Sequence, residues 1–363
     1  MIVHCKTCLM PSTRPRIVFK DGICNACHWA EEKKGIDWDR RADEFEELVN
    51  RKQASGYDCV VPFSGGKDSA AIAHKLKFDF GLNPLLVTYG QMLWTDAGRR
   101  NFERVCEAGF DIFYWRVNQA VSRKLARRFF IERGHPKQHY DAGVNAVPVI
   151  TAKQFNIPLI FYAEHGETEY GGHVLSDEHR RTRDLTEVLE HQVGDHPSNW
   201  ATDGISDHDL YPYIYPSMGD GGPVAYYFSY FFPWDIYENA QYVQGKMNWR
   251  LAHGGRSMGS FEGFDSMDDM IDDLDFYMMY IKFGFGRATR MASRMIQNGH
   301  MTRDRGLELV RQYDGEFPER YYPEILHYLD MGPREFEETI DMHRNPEIWE
   351  KEGTKWRLKH LPA

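Results

Sequence analysis

From Tyr57 onward the chain alternates short apolar runs with amphipathic stretches. YDCVVPF, LNPLLVTYG, FDIFYWRV and IPLIFYAE have the length and β-branched or aromatic content of buried strands. Between them, SAAIAHKLKFDF, AGRRNFERVCEAG and QAVSRKLARRFFIERG repeat apolar positions at helical spacing. Strand and helix in turn predict an α/β fold, a parallel sheet flanked by helices, because parallel neighbours need a crossover connection. Upstream, DWDRRADEFEELVNRKQ (37–53) places Phe45, Leu48 and Val49 on one face of a charged segment and predicts a linking helix. Downstream, residues 175–265 break the rhythm with Pro212, Pro216, Pro223 and Pro233 among many aromatics. That much apolar surface does not suit a flexible linker and predicts an aromatic-rich, substrate-binding insertion. From Ser266 the pattern is helical to the end. Ser266 and Asp269 have capping-box spacing. Met270, Ile271, Leu274, Tyr277, Met278 and Ile281 then form one stripe, with Asp268, Asp272, Asp273 and Asp275 off it. The stripe reads as core. Four regions follow: an N-terminal module 1–36, an α/β core 37–174, the insertion 175–265 and a helical region 266–363.

Composition narrows the partners. The 363 residues are 42% hydrophobic and 14% aromatic, enough for a sizeable core. A formal net charge of −10 argues against a broad nucleic-acid footprint. No run approaches the roughly 18 apolar residues of a membrane span, and MIVHCKTCLMPSTRPR has no signal-peptide core. The expectation is a cytoplasmic protein with neither nucleic-acid nor membrane partners.

Four of six cysteines fall in the first 27 residues, as Cys5-x2-Cys8 and Cys24-x2-Cys27. Two such turns supply four thiolates for one tetrahedral Zn²⁺, with an iron–sulfur cluster as the lesser alternative. Four thiolates leave no open position, so the expected role is structural, a zinc ribbon whose folding is coupled to metal. Cys59 lies in a strand and Cys106 in a helix, and both read as small packing residues.

The most informative turn is SGGKDS, where the first core strand hands over to a helix. A helix N-terminus presents unpaired N–H groups and partial positive charge. Gly65 and Gly66 allow close approach of an anion, Ser64 and Ser69 add hydroxyls, Lys67 adds a cation, and Asp68 suits Mg²⁺. This is an anion cradle at the carboxyl edge of a sheet, although GxxxxGK[ST] is absent. Two further clusters are candidates. Glu164 and Glu167, in EHGETEYGG, leave a strand at the same edge and suit Mg²⁺ or an amine nucleophile. Lys282, Arg287 and Arg290 surround the turn in KFGFGRAT and could meet phosphates. His139, His165 and His173 are weaker candidates for substrate contact, since a lone histidine is more often structural.

SGGKDS resembles the PP-loop of ATP pyrophosphatases, which cleave ATP between the α and β phosphates. The CxxC pair, VPFSGGKDS, TYGQMLWTDAGRRNFE, EHGETEYGG, KFGFGRATRMAS and IDMHRNPEIWEK together resemble the N-acetyl sugar amidotransferases of lipopolysaccharide O-antigen and pseudaminic- or legionaminic-type acid biosynthesis. Where that family has Gly-Glu-Asn, this chain has Glu164-His165-Gly166-Glu167-Thr168, which leaves two acids for one role. The resemblance implies that Ser64, Gly65, Gly66, Lys67, Asp68 and Ser69 hold the leaving pyrophosphate, with Thr88 and Tyr89 near the adenine. It implies an ATP- and Mg²⁺-dependent ligase that adenylates the acetamido oxygen of a nucleotide-linked sugar. Ammonia then displaces AMP and leaves an acetamidine. The chain begins Met1-Ile2 and has no GxCxG-like turn, so it shows no glutaminase nucleophile. A separate glutaminase subunit, with a cyclase-like channel subunit, is the implied ammonia source. Two alternatives stand beside this reading: a PP-loop tRNA-modifying enzyme, and a non-catalytic zinc-containing scaffold subunit.

Overall fold

The computed structural model describes residues 2–50, 56–217, 221–353 and 355–360. Residues 51–53 of the expected linking helix and 218–220 of the expected insertion lie outside the described residues. A small hairpin, β1 (Phe19–Lys20) and β2 (Ile23–Cys24), precedes the main sheet. That sheet contains β3 (Cys59–Pro62), β4 (Pro84–Tyr89), β5 (Asp111–Trp115), β6 (Leu159–Tyr162), β7 (Thr182–Arg183) and β8 (Val224–Tyr227). Its order is β5-β4-β3-β6-β8-β7, parallel except for β7 against β8. All four strands expected from the apolar runs are present. β3 shows why: its residues alternate between two cores. Val60 packs with Leu85, Val87 and Ile160 under the helices Gln119–Arg133 and Gln138–Gln154. Cys59 and Val61 pack with Leu86 and Phe161 under Lys67–Phe78 and Ile236–Met247. A strand buried on both faces carries an unbroken apolar run.

The linking helix spans Trp38–Val49, and Phe45 is driven into a ring cluster with Phe80, Phe161, Phe228, Phe231 and Phe232. Elsewhere the structure departs from the pattern. The helix Gln138–Gln154 gives no amphipathic signal because thirteen of its seventeen residues are buried. Two strands of the main sheet, β7 and β8, come from the segment expected to be an insertion. The aromatics there are sheet and core residues: Tyr227, Phe228 and Phe231 are buried. Ser266 and Asp269 do not make a capping box, since the helix begins at Ile271 with no side-chain cap. Asp269 instead accepts from the amides of Met92, Leu93 and Ile271. The stripe Ile271, Leu274, Met278 and Ile281 is core as expected, yet Asp272 and Asp273 on its other side are buried too. The described residues finish with a hairpin, β9 (Trp349–Glu352) with β10 (Lys355–Leu358), where a helix was expected. Among the described residues no helix is long and apolar enough to cross a membrane.

Candidate functional site

From β3 the chain winds to β4 and β5 on one side, while β6 lies on the other side of β3. Connections therefore diverge at the carboxyl ends of β3 and β6, the switch point where open α/β sheets bind ligands. A cavity of about 380 Å³ opens there. The turn after β3 forms one wall. Gly65 has φ +97°, a conformation that L side chains rarely adopt, and its carbonyl accepts from the indole N–H of Trp249 at 3.0 Å. Ser64 Oγ accepts from the Gly66 amide at 3.2 Å, and Ser69 Oγ donates to the Gly66 carbonyl at 3.2 Å. Gly66 caps the helix Lys67–Phe78 without a side-chain hydrogen bond, so no capping side chain takes its first-turn amides.

Charge is dense around this turn. Lys67, only 3% exposed, places Nζ 2.8 Å from Asp68 and 3.4 Å from Asp265. Burial opposes the ammonium charge, but these two carboxylates outweigh it and raise the Lys67 pKa. Asp265 also pairs with Arg290 at 2.5 Å. Burial would push the Asp265 carboxyl up, yet Arg290, Lys67 and Arg287 hold it well below the usual range. Glu164 lines the cavity and accepts from Tyr170 Oη at 3.0 Å. Burial first, and then the charge of Asp68, raise its pKa. Two carboxylates that repel in this way suit a hard divalent cation with oxygen ligands. Asn239 fixes the other Asp68 oxygen at 3.0 Å.

The remaining expected site residues divide. Val87 and Tyr89 line the cavity, while Thr88 is fully buried and is not among its lining residues, because successive strand side chains alternate faces. The Tyr89 ring lies against Gly143, where a Cβ would come within 2.2 Å of it. Glu167 does not line the cavity: Arg16 grips it through two bonds at 2.7 and 2.9 Å, and the His173 amide adds a third at 2.8 Å. Arg290 reaches the cavity, with its guanidinium over the Tyr170 ring. Arg287 is buried behind it. Its guanidinium bonds Asp273 and the carbonyls of Asp265 and Ser266, pinning the turn that presents Asp265. Lys282 points elsewhere and donates to the Arg133 carbonyl at 2.8 Å. His139 is buried against Ser122 Oγ, and His165 lies behind the wall.

Several lining residues escaped sequence reasoning: Asp265, Asp268, Asp272, Lys137 and Arg183. Gln91 ties Asp268 to the turn through bonds at 2.9 Å to its carboxylate and 2.6 Å to the Ser64 carbonyl. Lys137 pairs with Asp272. The available signal was the density of aspartate in FDSMDDMIDDLD (264–275), far above what one helix cap needs.

The four cysteines converge as their spacing suggests. One sulfur from each lies within 4.8 Å of the others, with Cys5–Cys27 at 3.8 Å and Cys8–Cys24 at 3.7 Å. Disulfide sulfurs would be about 2.05 Å apart, whereas tetrahedral bonds of about 2.3 Å to Zn²⁺ separate sulfurs by about 3.8 Å. The cluster therefore fits a zinc ion. Its support comes from KFGFGRAT: Phe283 and Phe285 pack against the cysteine turns, and Thr13 Oγ1 donates to the Phe283 carbonyl at 2.5 Å. Gln297 adds an N–H to Cys27 Sγ at 3.6 Å. This run anchors the N-terminal module; its own Lys282 and Arg287 do not line the cavity, and Arg290, just after it, does.

Fold and site together define a doubly wound α/β protein with a glycine-containing turn at the mouth of a switch-point cavity and a docked four-cysteine module. Residues 258–361 match the model of a family described as "LPS biosynthesis protein WbpG-like, C-terminal domain". The match supports kinship with a lipopolysaccharide-biosynthesis family over that region. The chain is also 34% identical over 89 residues to the "Uncharacterized protein MJ1599" of Methanocaldococcus jannaschii. That segment covers 23% of this chain and 32% of the relative.

Proposed function

We propose that the chain is the synthetase subunit of an ATP-dependent amidotransferase that acts on a nucleotide-linked N-acetyl sugar in lipopolysaccharide biosynthesis. The observation that carries the proposal is the SGGKDS turn, which opens a helix at the sheet's switch point with Lys67 held between Asp68 and Asp265. The WbpG-like match supports the sugar-modifying setting. In this reading the first-turn amides of Lys67, Asp68 and Ser69 bind the pyrophosphate end of ATP. Lys67 and Arg290 neutralise charge as it leaves, and Tyr89 and Val87 border the adenine. Asp68 and Glu164 are the residues that would hold Mg²⁺, which when bound supplies charge neutralisation at phosphate oxygens. An acetamido carbonyl is a poor electrophile, so its oxygen is first adenylated. Ammonia then attacks the adenylated carbon, the C–O bond to AMP breaks, and an acetamidine is left. A separate glutaminase, with a channel subunit, would supply that ammonia.

The test supplies purified protein with Mg²⁺-ATP, ammonium chloride at mildly alkaline pH and a panel of UDP- or CMP-linked di-N-acetyl sugars. Expected products are AMP and pyrophosphate with one sugar only, and a sugar mass consistent with oxygen replaced by NH. Lys67→Ala and Asp68→Ala should abolish AMP formation while the fold is kept. Near-normal turnover in either variant refutes the assignment, and AMP formation that needs tRNA favours the tRNA-modifying alternative.

A further inference from the structure

Behind one wall of the cavity, three metal-ligating side chains converge. His165 precedes the short helix Gly166–Tyr170, just after β6. Glu187 closes the helical turn Leu185–Glu187, and His191 lies on the π-helical turn Val188–Val193 that follows. One ligand atom from each lies within 4.8 Å of the others. We propose that His165, Glu187 and His191 form a second metal site, distinct from the four-cysteine cluster, for a divalent transition cation of the zinc type.

Four observations carry this. The first is unmet hydrogen bonding. His165 Nε2 lies 3.0 Å from Glu187 Oε1 but is not aligned to bond it. Among the described residues, neither Glu187 Oε2 nor either ring nitrogen of His191 has a hydrogen-bond partner, and all of these atoms are buried. Buried polar atoms are almost always partnered. An ion pair between His165 and Glu187 would account for two of the side chains and leave His191 unexplained. A single cation serves all three.

The second is the outer shell. His165 Nδ1 is engaged by Thr168 Oγ1, which leaves Nε2 as the free ligand atom. Tyr227 Oη donates to Glu187 Oε1 at 2.6 Å. Hydrogen bonds that fix the ring and the carboxylate in this way accompany metal ligands. The third is the backbone. π-Helical turns are rare and concentrate at functional sites, and this one carries His191 on the turn directly after Glu187. The fourth is the donor set. Two imidazoles and a carboxylate suit zinc and leave a fourth position open. The other mixed group, Asp235, Glu238 and His300, is more exposed, and its His300 and Asp235 already pair at 2.6 Å.

The site would brace the cavity. Gln192, beside His191, lines it, as do Tyr162 and Arg183, whose guanidinium covers the Tyr162 ring at 4.4 Å. A metal there ties the segment containing Glu187 and His191 to the exit of β6. The proposal does not depend on the amidotransferase reading.

Full-length protein, made without a histidine tag, would be loaded with zinc, passed over a chelating resin and analysed for metal per chain. The wild type should hold one equivalent more than His191→Gln or Glu187→Gln, while the cysteine site stays filled in all three. Equal metal content in wild type and both variants overturns the proposal, including the case in which Asp235, Glu238 and His300 hold the extra ion. Because a variant can misfold, the wild type is also titrated with Co²⁺. A second equivalent that adds weak visible ligand-field bands without thiolate charge transfer supports the site. A titration that ends with the thiolate-bound cobalt alone overturns it.

Discussion

Replacing Glu169 with Gln keeps the side chain's shape and removes its charge. Glu169 is 1% exposed and accepts from Trp29 Nε1 at 2.7 Å, Lys33 Nζ at 3.0 Å and Arg294 Nη2 at 2.6 Å. It thus joins the helix Asn25–Glu32 of the N-terminal module to the helix Arg287–Gln297. In the variant, Arg294 at 2% exposure loses its only described counter-charge within 4 Å. Removing one partner of a buried ion pair costs about 3–5 kcal/mol. The Gln carbonyl retains one acceptor, so the expected loss is near the lower end, about 3 kcal/mol. At roughly 2 °C per kcal/mol for a chain of this size, the apparent Tm should fall by about 6 °C. The pH dependence gives a second reading. Burial alone would raise the Glu169 pKa, but Arg294, Lys33 and Trp29 outweigh it and hold it below 4.5. A depressed folded value means that the stabilisation is present above about pH 4.5 and is lost as pH falls through the folded pKa. The variant should therefore lose less stability than the wild type on acidification. Urea denaturation followed by circular dichroism, at neutral pH and in an acid series, measures both quantities. A loss below about 1 kcal/mol, or an unchanged acid slope, would refute the reasoning. Adding Arg294→Met to the Gln variant should recover part of the loss, because the unpaired charge is then gone.

Cys8→Ser, or strong chelation of the wild type, should free the N-terminal module from Phe283 and Phe285, seen as new proteolytic cleavage before Trp38 while the main sheet stays protected; unchanged cleavage would mean that metal does not hold this module. Gly143→Ala places a methyl within 2.2 Å of the Tyr89 ring, so it should cost about 1–3 kcal/mol and weaken ATP binding measured by calorimetry; wild-type stability and affinity together would show that Tyr89 repacks freely.

Local patterns carried much of the architecture. Three of the four apolar runs became parallel strands buried on two faces, and burial on two faces is written into consecutive residues. The fourth, β5, is a partly exposed edge strand that pairs only with β4. SGGKDS was legible because a strand end, two glycines and a helix start are neighbours in the chain. The cysteine pairs were legible because their spacing alone brings four sulfurs together. Other parts of the site depend on residues that are distant in sequence. Asp265 matters only because Lys67 and Arg290 meet over it, and no period along 264–275 separates a buried aspartate from a solvated one. Glu167 and Glu169 stand two residues apart in one motif, and only packing decided that Arg16 takes the first while Arg294 and Lys33 take the second. The helix Gln138–Gln154 went unread because burial on nearly all sides erases amphipathic periodicity. The aromatic segment looked like an addition until β8 paired with β6 and made it part of the sheet. Sequence alone determined the elements whose causes lie within a few residues; the tertiary structure decided which charges were buried together, because burial and pairing depend on chain segments that only the fold brings into contact.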